Sequence, residues 1–288
     1  MKGIVVKKLA DDFWVKTDGS VFVCKPRGNL KAKGVFVGDK VEISQQDDIF
    51  VVDKVDTRTN ILIRPPLANL DQLLIVVSPT PKPDYMIVDK LILFAYSYGI
   101  KPIIVINKQD ISPEINDYVK NTYSSIIDIV FVSAKTKSGL DNLKQVLKGK
   151  ISAFAGQSAV GKSALINALF GKSQKEGDLS QKIERGKNTT RHCEIFYNDD
   201  IMIADTAGFT SLDETLLPIA YYELPYYYHD YNVYKDKCKY TSCVHVKENT
   251  NECMVKQKVE QGVLDKNRYD RYVKIYEILK QKWERTHG

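Results

Sequence analysis

The chain has 288 residues, 43% hydrophobic and 27% charged, with 42 Lys+Arg against 36 Asp+Glu. No apolar run approaches the roughly 20 residues of a membrane span, which excludes a helical membrane protein; the length suits two or three folded domains. The excess charge of +6 sits in the flanks: residues 1–66 carry 12 basic against 9 acidic side chains, 67–216 carry 17 against 17, and 217–288 carry 13 against 10. Basic flanks suit a polyanion such as RNA, and equally a plain solvated surface. The opening MKGIVVKKLADDFW lacks a long apolar core, so a cytoplasmic location is expected, with no membrane partner. Thiols stay reduced there, and five cysteines then point to metal binding or chemistry rather than a disulfide framework.

Residues 3–63 read as five short strands, GIVVKKL, FWVKTD, SVFVCKP, GVFVGDKVEIS and IFVVDKVD, separated by Gly and Asp turns; the spacing predicts a small β-barrel. Arg64-Pro65-Pro66 ends the run, because proline cannot donate to a strand ladder. From residue 67 the pattern changes. LLIVVS (73–78), PIIVINK (102–108), DIVFVSA (128–134) and ISAFAG (151–156) are nearly continuous apolar runs, as strands buried on both faces read. Helical stretches near 84–98, 113–124 and 139–148 alternate with them, which predicts an α/β domain with a parallel sheet. A helix over 162–170 and the strands HCEIFYN and DIMIAD complete it by residue 216. Residues 217–288 hold a Tyr-rich stretch, a Cys/His cluster and a helical finish, KNRYDRYVKIYEILKQKWER.

Gly156-Gln157-Ser158-Ala159-Val160-Gly161-Lys162-Ser163, with Ala164 behind it, fits the phosphate-loop pattern between a buried strand and a helix. Glycines let successive N–H groups turn toward phosphates, Lys162 reaches the β- and γ-phosphates, and the Ser163 hydroxyl ligates Mg²⁺. Asn107-Lys108-Gln109-Asp110 ends one strand and Ser133-Ala134-Lys135 the next. The Asp110 carboxylate can accept from both the ring N–H and the exocyclic amine of guanine, a donor pair that adenine lacks. Lys108 is expected along the base, Asn107 between the segments, and a backbone N–H near Ala134 at the guanine oxygen. Either motif alone reads as a polar loop; beside a phosphate loop they specify GTP and GDP. Asp205-Thr206-Ala207-Gly208 supplies Asp205 for Mg²⁺ through a water and the Gly208 N–H for the γ-phosphate. One of Thr189 and Thr190, with Thr190 preferred, closes over Mg²⁺. Phe209 stands where many GTPases place the glutamine that orients water, so slow intrinsic hydrolysis is expected.

Cys238, Cys243, His245 and Cys253 offer three thiolates and an imidazole within 16 residues, a ligand set for one closed structural Zn²⁺. Cys24 and Cys193 stand alone and are expected to pack as small apolar residues.

The base-recognition motifs come before the phosphate loop, Thr-Thr and Asp-x-x-Gly. In that order, with the link RPPLANLDQ (64–72) and the cluster CKYTSCVHVKENTNEC (238–253), the whole chain resembles the circularly permuted GTPases of the ribosome small-subunit-dependent GTPase A family. The resemblance implies an α/β P-loop GTPase domain of circularly permuted motif order (67–216) between an N-terminal OB-fold RNA-binding barrel (1–66) and a C-terminal helical zinc-binding domain (217–288). It implies a role in late maturation of the small ribosomal subunit, binding to that subunit and its rRNA, and Mg²⁺-dependent GTP hydrolysis stimulated by it; a monomer is expected. The chain departs from the family in three places. The His245–Cys253 spacing is about two residues longer, Ala207 replaces a common proline, and FTSLDETLLP (209–218) offers no histidine for the role sometimes proposed there. The alternatives are a non-hydrolysing, nucleotide-gated RNA-binding module, and an ATPase with a zinc finger, against which Asp110 argues.

Overall fold

A computed structural model describes residues 1–28, 30, 34–171, 193–198, 200–205 and 217–287. Strands β1 (Lys2–Leu9), β2 (Asp12–Lys16), β3 (Val21–Pro26), β4 (Lys40–Gln46) and β5 (Ile49–Val55) close a five-stranded barrel in the order β1-β2-β3-β5-β4-β1. Closure runs through Lys2↔Glu42, Gly3↔Val41 and Ile4↔Lys40. Alternate residues point inward, so Val5, Phe13, Val15, Cys24, Val41, Ile43 and Val52 form one core. Cys24 packs there as the sequence suggests.

The expected strand over 34–44 begins only at Lys40. The Asp39 carboxylate, fully buried, accepts from the Phe36 N–H at 2.8 Å and from Arg58 Nε at 2.7 Å, which turns the chain before the strand starts. The link at 64–66 is a turn between two short strands, β6 (Ile61–Leu62) and β7 (Leu67–Ala68), as the prolines require.

The α/β layer follows in the expected alternation: β8 (Gln72–Val77), α1 (Tyr85–Ser97), β9 (Lys101–Ile106), α2 (Asn116–Tyr123), β10 (Asp128–Phe131), α3 (Leu140–Leu147), β11 (Ile151–Ala155), α4 (Lys162–Phe170), β12 (Glu194–Asn198) and β13 (Ile201–Asp205). The strand order is β10-β9-β8-β11-β13-β12, parallel except for β12. Successive residues of β8 serve opposite cores. Leu73, Ile75 and Val77 pack with Leu91 and Phe94 of α1, and Leu74 and Val76 with Leu143 of α3 and Leu165 of α4. Each such buried side chain contributes about 1.5–3 kcal/mol, which explains why these strands read as unbroken apolar runs.

The sheet does not stop at β12. Its Glu194 pairs in register with Lys7 of barrel strand β1, and the two side chains form an ion pair at 3.3 Å. Lys16 of β2 lies over the Tyr197 ring at 5.3 Å. Barrel and α/β layer therefore share one hydrogen-bonded sheet.

Residues 217–287 form α5 (Leu224–Tyr227), α6 (Asn232–Lys235), α7 (Met254–Glu260) and α8 (Lys266–His287). Tyr228 and Tyr231 of the Tyr-rich stretch are buried, packing edge-on to Tyr272 of α8 with centroids 4.7 and 5.2 Å away. Such pairs add about 0.5–1.5 kcal/mol beyond burial. No helix among the described residues is long and apolar enough to cross a membrane.

Candidate functional site

The loop from β11 into α4 carries two backbone positions that a side chain would spoil. Gly156 has φ +122°, and a Cβ there would lie 2.4 Å from the Val76 carbonyl oxygen; Gly161 has φ +98°, and its Cβ would lie 2.4 Å from Asn107 Nδ2. The loop thus presses against the end of β8 and against Asn107. Val160 is buried beneath it, while Ser158, Ala159, Ser163 and Ala164 face solvent. Lys162 Nζ donates to the carbonyls of Gly156 at 2.8 Å and Gln157 at 2.6 Å, and burial lowers its pKa. The ammonium is folded over its own loop, at the place an anion would occupy. Ala159 takes φ +63°, a left-handed conformation costly for any residue but glycine.

The base motifs converge on this loop. Asn107, 1% exposed, donates from Nδ2 to the Val160 carbonyl at 3.0 Å and accepts at Oδ1 from the Ala134 N–H at 3.1 Å. One amide therefore ties the loop of β11 to the Ser133-Ala134-Lys135 segment. Lys108, itself at φ +61°, donates from Nζ to the Ala159 carbonyl at 2.8 Å and the Thr80 carbonyl at 2.6 Å. Asp110 accepts from the Ser133 hydroxyl at 2.6 Å, and this bond first, then its own backbone N–H and the charges of Lys135 and Lys108, hold its carboxyl below the usual carboxylate range. Ser133 Oγ also accepts from the Thr136 N–H at 3.1 Å, so Ser133 acts through its hydroxyl, orienting Asp110.

Two contacts have no signature in the sequence. The Asp84 N–H, at the N-cap of α1, donates to Gln157 Oε1 at 2.8 Å, and Thr80 receives Lys108; both belong to the SPTPKPD loop, which resembles ordinary turn chemistry. Asp205 lies at the end of β13 in the strand register opposite Glu194. Thr189, Thr190, Thr206, Ala207, Gly208, Phe209 and His192 lie outside the described residues.

The second cluster is Cys238, Cys243, His245 and Cys253, whose ligand atoms all lie within 4.8 Å of one another. His245 Nδ1 is 3.7, 3.3 and 3.4 Å from the sulfurs of Cys238, Cys243 and Cys253, and Cys238 and Cys253 are 4.0 Å apart. Metal–ligand bonds of about 2.3 Å to sulfur and 2.0 Å to nitrogen at tetrahedral angles give separations of roughly 3.5–3.8 Å, so the set fits one zinc. A 3₁₀ turn at Thr250–Glu252 lies between His245 and Cys253, and Cys253 joins the cluster. Burial pushes the Cys243 and Cys253 thiols up and His245 down to about 4, which disfavours charge in the metal-free cluster; bound metal offsets this by stabilising thiolate and neutral imidazole. Glu248 accepts from the Val244 and Val246 N–H groups, each at 3.1 Å, bracing His245 at φ +61°. His229 lies against Tyr96 with centroids 4.0 Å apart and the rings tilted by 31°.

A phosphate-loop geometry entered after the base-recognition loops, in a sheet of this order, defines a circularly permuted GTPase. Family models described as RsgA GTPase and RsgA N-terminal domain match residues 55–215 and 2–49. A relative from Ruminiclostridium cellulolyticum, described as a small ribosomal subunit biogenesis GTPase, is 38% identical over 96% of this chain and 93% of its own. Among solved structures, YjeQ from Thermotoga maritima superposes with a TM-score of 0.81 at 32% identity, covering 96% of this chain and 98% of that one. YloQ, described as a circularly permuted GTPase, gives 0.80 at 29%, covering 98% and 95%. The chain belongs to the RsgA family of small ribosomal subunit biogenesis GTPases and is a GTP hydrolase of that family.

Proposed function

We propose that the chain binds the small ribosomal subunit through its rRNA and hydrolyses GTP there late in subunit maturation, with Mg²⁺ and with stimulation by the subunit. The observation that carries the nucleotide reading is the Asn107 amide, which joins the phosphate loop to the base-recognition segment. GTP then lies with its base against Asp110 and Lys108 and a backbone N–H of Ser133–Lys135 at the guanine oxygen. Its phosphates lie over Gly156–Ser163, reached by the N–H groups of Gln157, Ser158, Ala159, Val160 and Gly161 and by the start of α4 at Ala164. Lys162 leaves its loop carbonyls for the β- and γ-phosphates, a swap of neutral acceptors for charged ones. Ser163, Thr190 and, through water, Asp205 hold Mg²⁺, and the Gly208 N–H meets the γ-phosphate. Phe209 cannot orient water, so the subunit completes hydrolysis.

Residues 1–66 and 217–288 flank the GTPase domain (67–216) as RNA-facing modules, supported by their net positive charge. The cluster of Cys238, Cys243, His245 and Cys253 holds one structural zinc. The protein acts as a cytoplasmic monomer. The test is phosphate release from GTP with and without purified small subunits, with ATP as competitor for binding. Faster release with subunits and no competition by ATP support the reading. Turnover unchanged by subunits favours a nucleotide-gated RNA-binding module, and equal competition by ATP removes the guanine assignment.

A further inference from the structure

Buried charge joins α1 to α8. Asp89, in the middle of α1, is 1% exposed. Its Oδ1 accepts from Arg268 Nε at 3.3 Å and from the Tyr123 hydroxyl at 3.0 Å, and its Oδ2 accepts from Arg271 Nε at 2.5 Å. Arg268, 3% exposed, also pairs with Asp230. Arg271 donates to the Tyr123 hydroxyl at 3.1 Å and the Tyr118 hydroxyl at 3.3 Å. Charges taken this far out of water are costly, and apolar packing alone would hold two helices together. What paired guanidinium groups add is direction: each planar fork engages a carboxylate in few geometries. Neither helix can slide along the other without separating buried charges.

Each helix also reaches a functional cluster. Asp84, five residues before Asp89 and so about 8 Å away along the helix, donates its N–H to Gln157 of the phosphate loop at 2.8 Å. Upstream in the same loop, Thr80 shares the Lys108 ammonium with Ala159. On α8, the Tyr269 hydroxyl donates to the His245 carbonyl at 2.7 Å and the Tyr272 hydroxyl to the Val244 carbonyl at 2.6 Å, both in the metal-binding loop. Further along, Lys282 Nζ donates to the Leu217 carbonyl at 2.9 Å. Contact is unbroken from the phosphate loop to the metal cluster, and Asp89 is the buried charge at which it passes between helices, beside apolar contacts and Arg271 over the Tyr85 ring at 5.6 Å.

We infer that Asp89 is a positioning residue through which the occupancy of the phosphate loop sets the placement of the metal-bearing module, by way of Arg268 and Arg271. The inference rests on the reading of Gly156–Ser163 as the phosphate loop. By linkage, a partner that binds the module biases the nucleotide site equally through the same carboxylate. Contiguous contact alone is not coupling, so the decisive measurement is of coupling.

The experiment is amide hydrogen exchange on the full zinc-loaded chain, first free, then with GDP, then with a non-hydrolysable GTP analogue. Binding is titrated on the same samples with a fluorescent guanine nucleotide. The original chain is expected to show a protection difference of about fivefold or more between the free and the nucleotide-bound states across 243–260 and the first turns of α8. Asp89→Asn and Arg271→Gln should keep nucleotide affinity within about threefold and abolish that difference, and Asp89→Glu should restore it in part. A purely structural Asp89 would lower the melting temperature and leave the difference in place, which would overturn the inference. Bound nucleotide with no difference in the original chain would overturn it too. Absence of nucleotide binding by the original chain would overturn the phosphate-loop reading and this inference with it, and the titration tells that case apart. If Asp89→Asn fails to fold, Arg271→Gln, at a side chain 12% exposed, decides the matter.

Discussion

Replacing Asn107 by Ala removes a side chain that bonds both the phosphate loop and the Ser133–Lys135 segment. Two hydrogen bonds are lost, to the Val160 carbonyl at 3.0 Å and from the Ala134 N–H at 3.1 Å, at a residue 1% exposed. Each bond is worth about 0.5–1.5 kcal/mol, and a partner left buried and unpaired adds about 1–3 kcal/mol. The sum is about 2–6 kcal/mol. At about 1.4 kcal/mol per tenfold, guanine-nucleotide affinity should fall by roughly 30- to 20,000-fold. Asn107→Asp sharpens the test. A carboxylate still accepts from Ala134 but faces the Val160 carbonyl with no proton to donate, so its loss should match or exceed that of Ala. Equilibrium titration with a fluorescent GDP, alongside circular dichroism to confirm folding, reads both. Folded Asn107→Ala that binds within about threefold of the original chain would refute the claim that this amide assembles the site.

Asp110→Asn should shift preference from guanine to xanthine nucleotides, measured by competition, because an amide can donate where the carboxylate accepts. The lowered pKa of Asp110 keeps its charged form down to pH values below the usual carboxylate range; guanine affinity should be flat around neutrality and fall only as pH drops through that lowered value. Lys162→Ala or Ser163→Ala should cost a charge-assisted contact of about 1.5–3 kcal/mol, hence roughly 10- to 200-fold in turnover, without unfolding the chain; full activity in a folded variant counts against both roles. Elemental analysis should find one zinc per chain, and Cys238→Ser or Cys243→Ser should release it, with near-ultraviolet dichroism reporting loosened tyrosine packing around Tyr272. Metal retained in both variants would mean the cluster is not the site.

The site was legible wherever its chemistry is local in sequence. Strands buried on both faces announce themselves as apolar runs, and the loops at their ends hold Asn107, Asp110, Ser133 and Gly156–Ser163 within a few residues of each run. The four helices of the α/β layer fall within three residues of where periodicity put them. What stayed hidden depends on contacts between distant segments. Asp89 and Arg268 are 179 positions apart, and neither carries a local pattern. Asp39 reads as part of a strand and is instead a buried acceptor that delays β4. The Tyr-rich stretch lacks clear periodicity, so nothing in it says that Tyr228 and Tyr231 are core. The left-handed Ala159 is invisible because alanine advertises no special backbone.

The pairing of β12 with β1 has a consequence for any shortened form of the chain. Take the barrel away, and Glu194–Asn198, the segment EIFYN, loses its one paired position, Lys7↔Glu194, and the Lys16 side chain over Tyr197, and becomes the uncovered outer strand of its sheet. Strand edges of this kind recruit other chains, and Ile195, Phe196 and Tyr197 supply the β-prone side chains that aggregation favours, with no proline to prevent it. At the opposite margin β10 is only four residues long and starts at Asp128, charged and paired with Lys101, so that side guards itself. The barrel is therefore also a guard. A protein begun at residue 64 would show self-association before any change in nucleotide affinity could be measured.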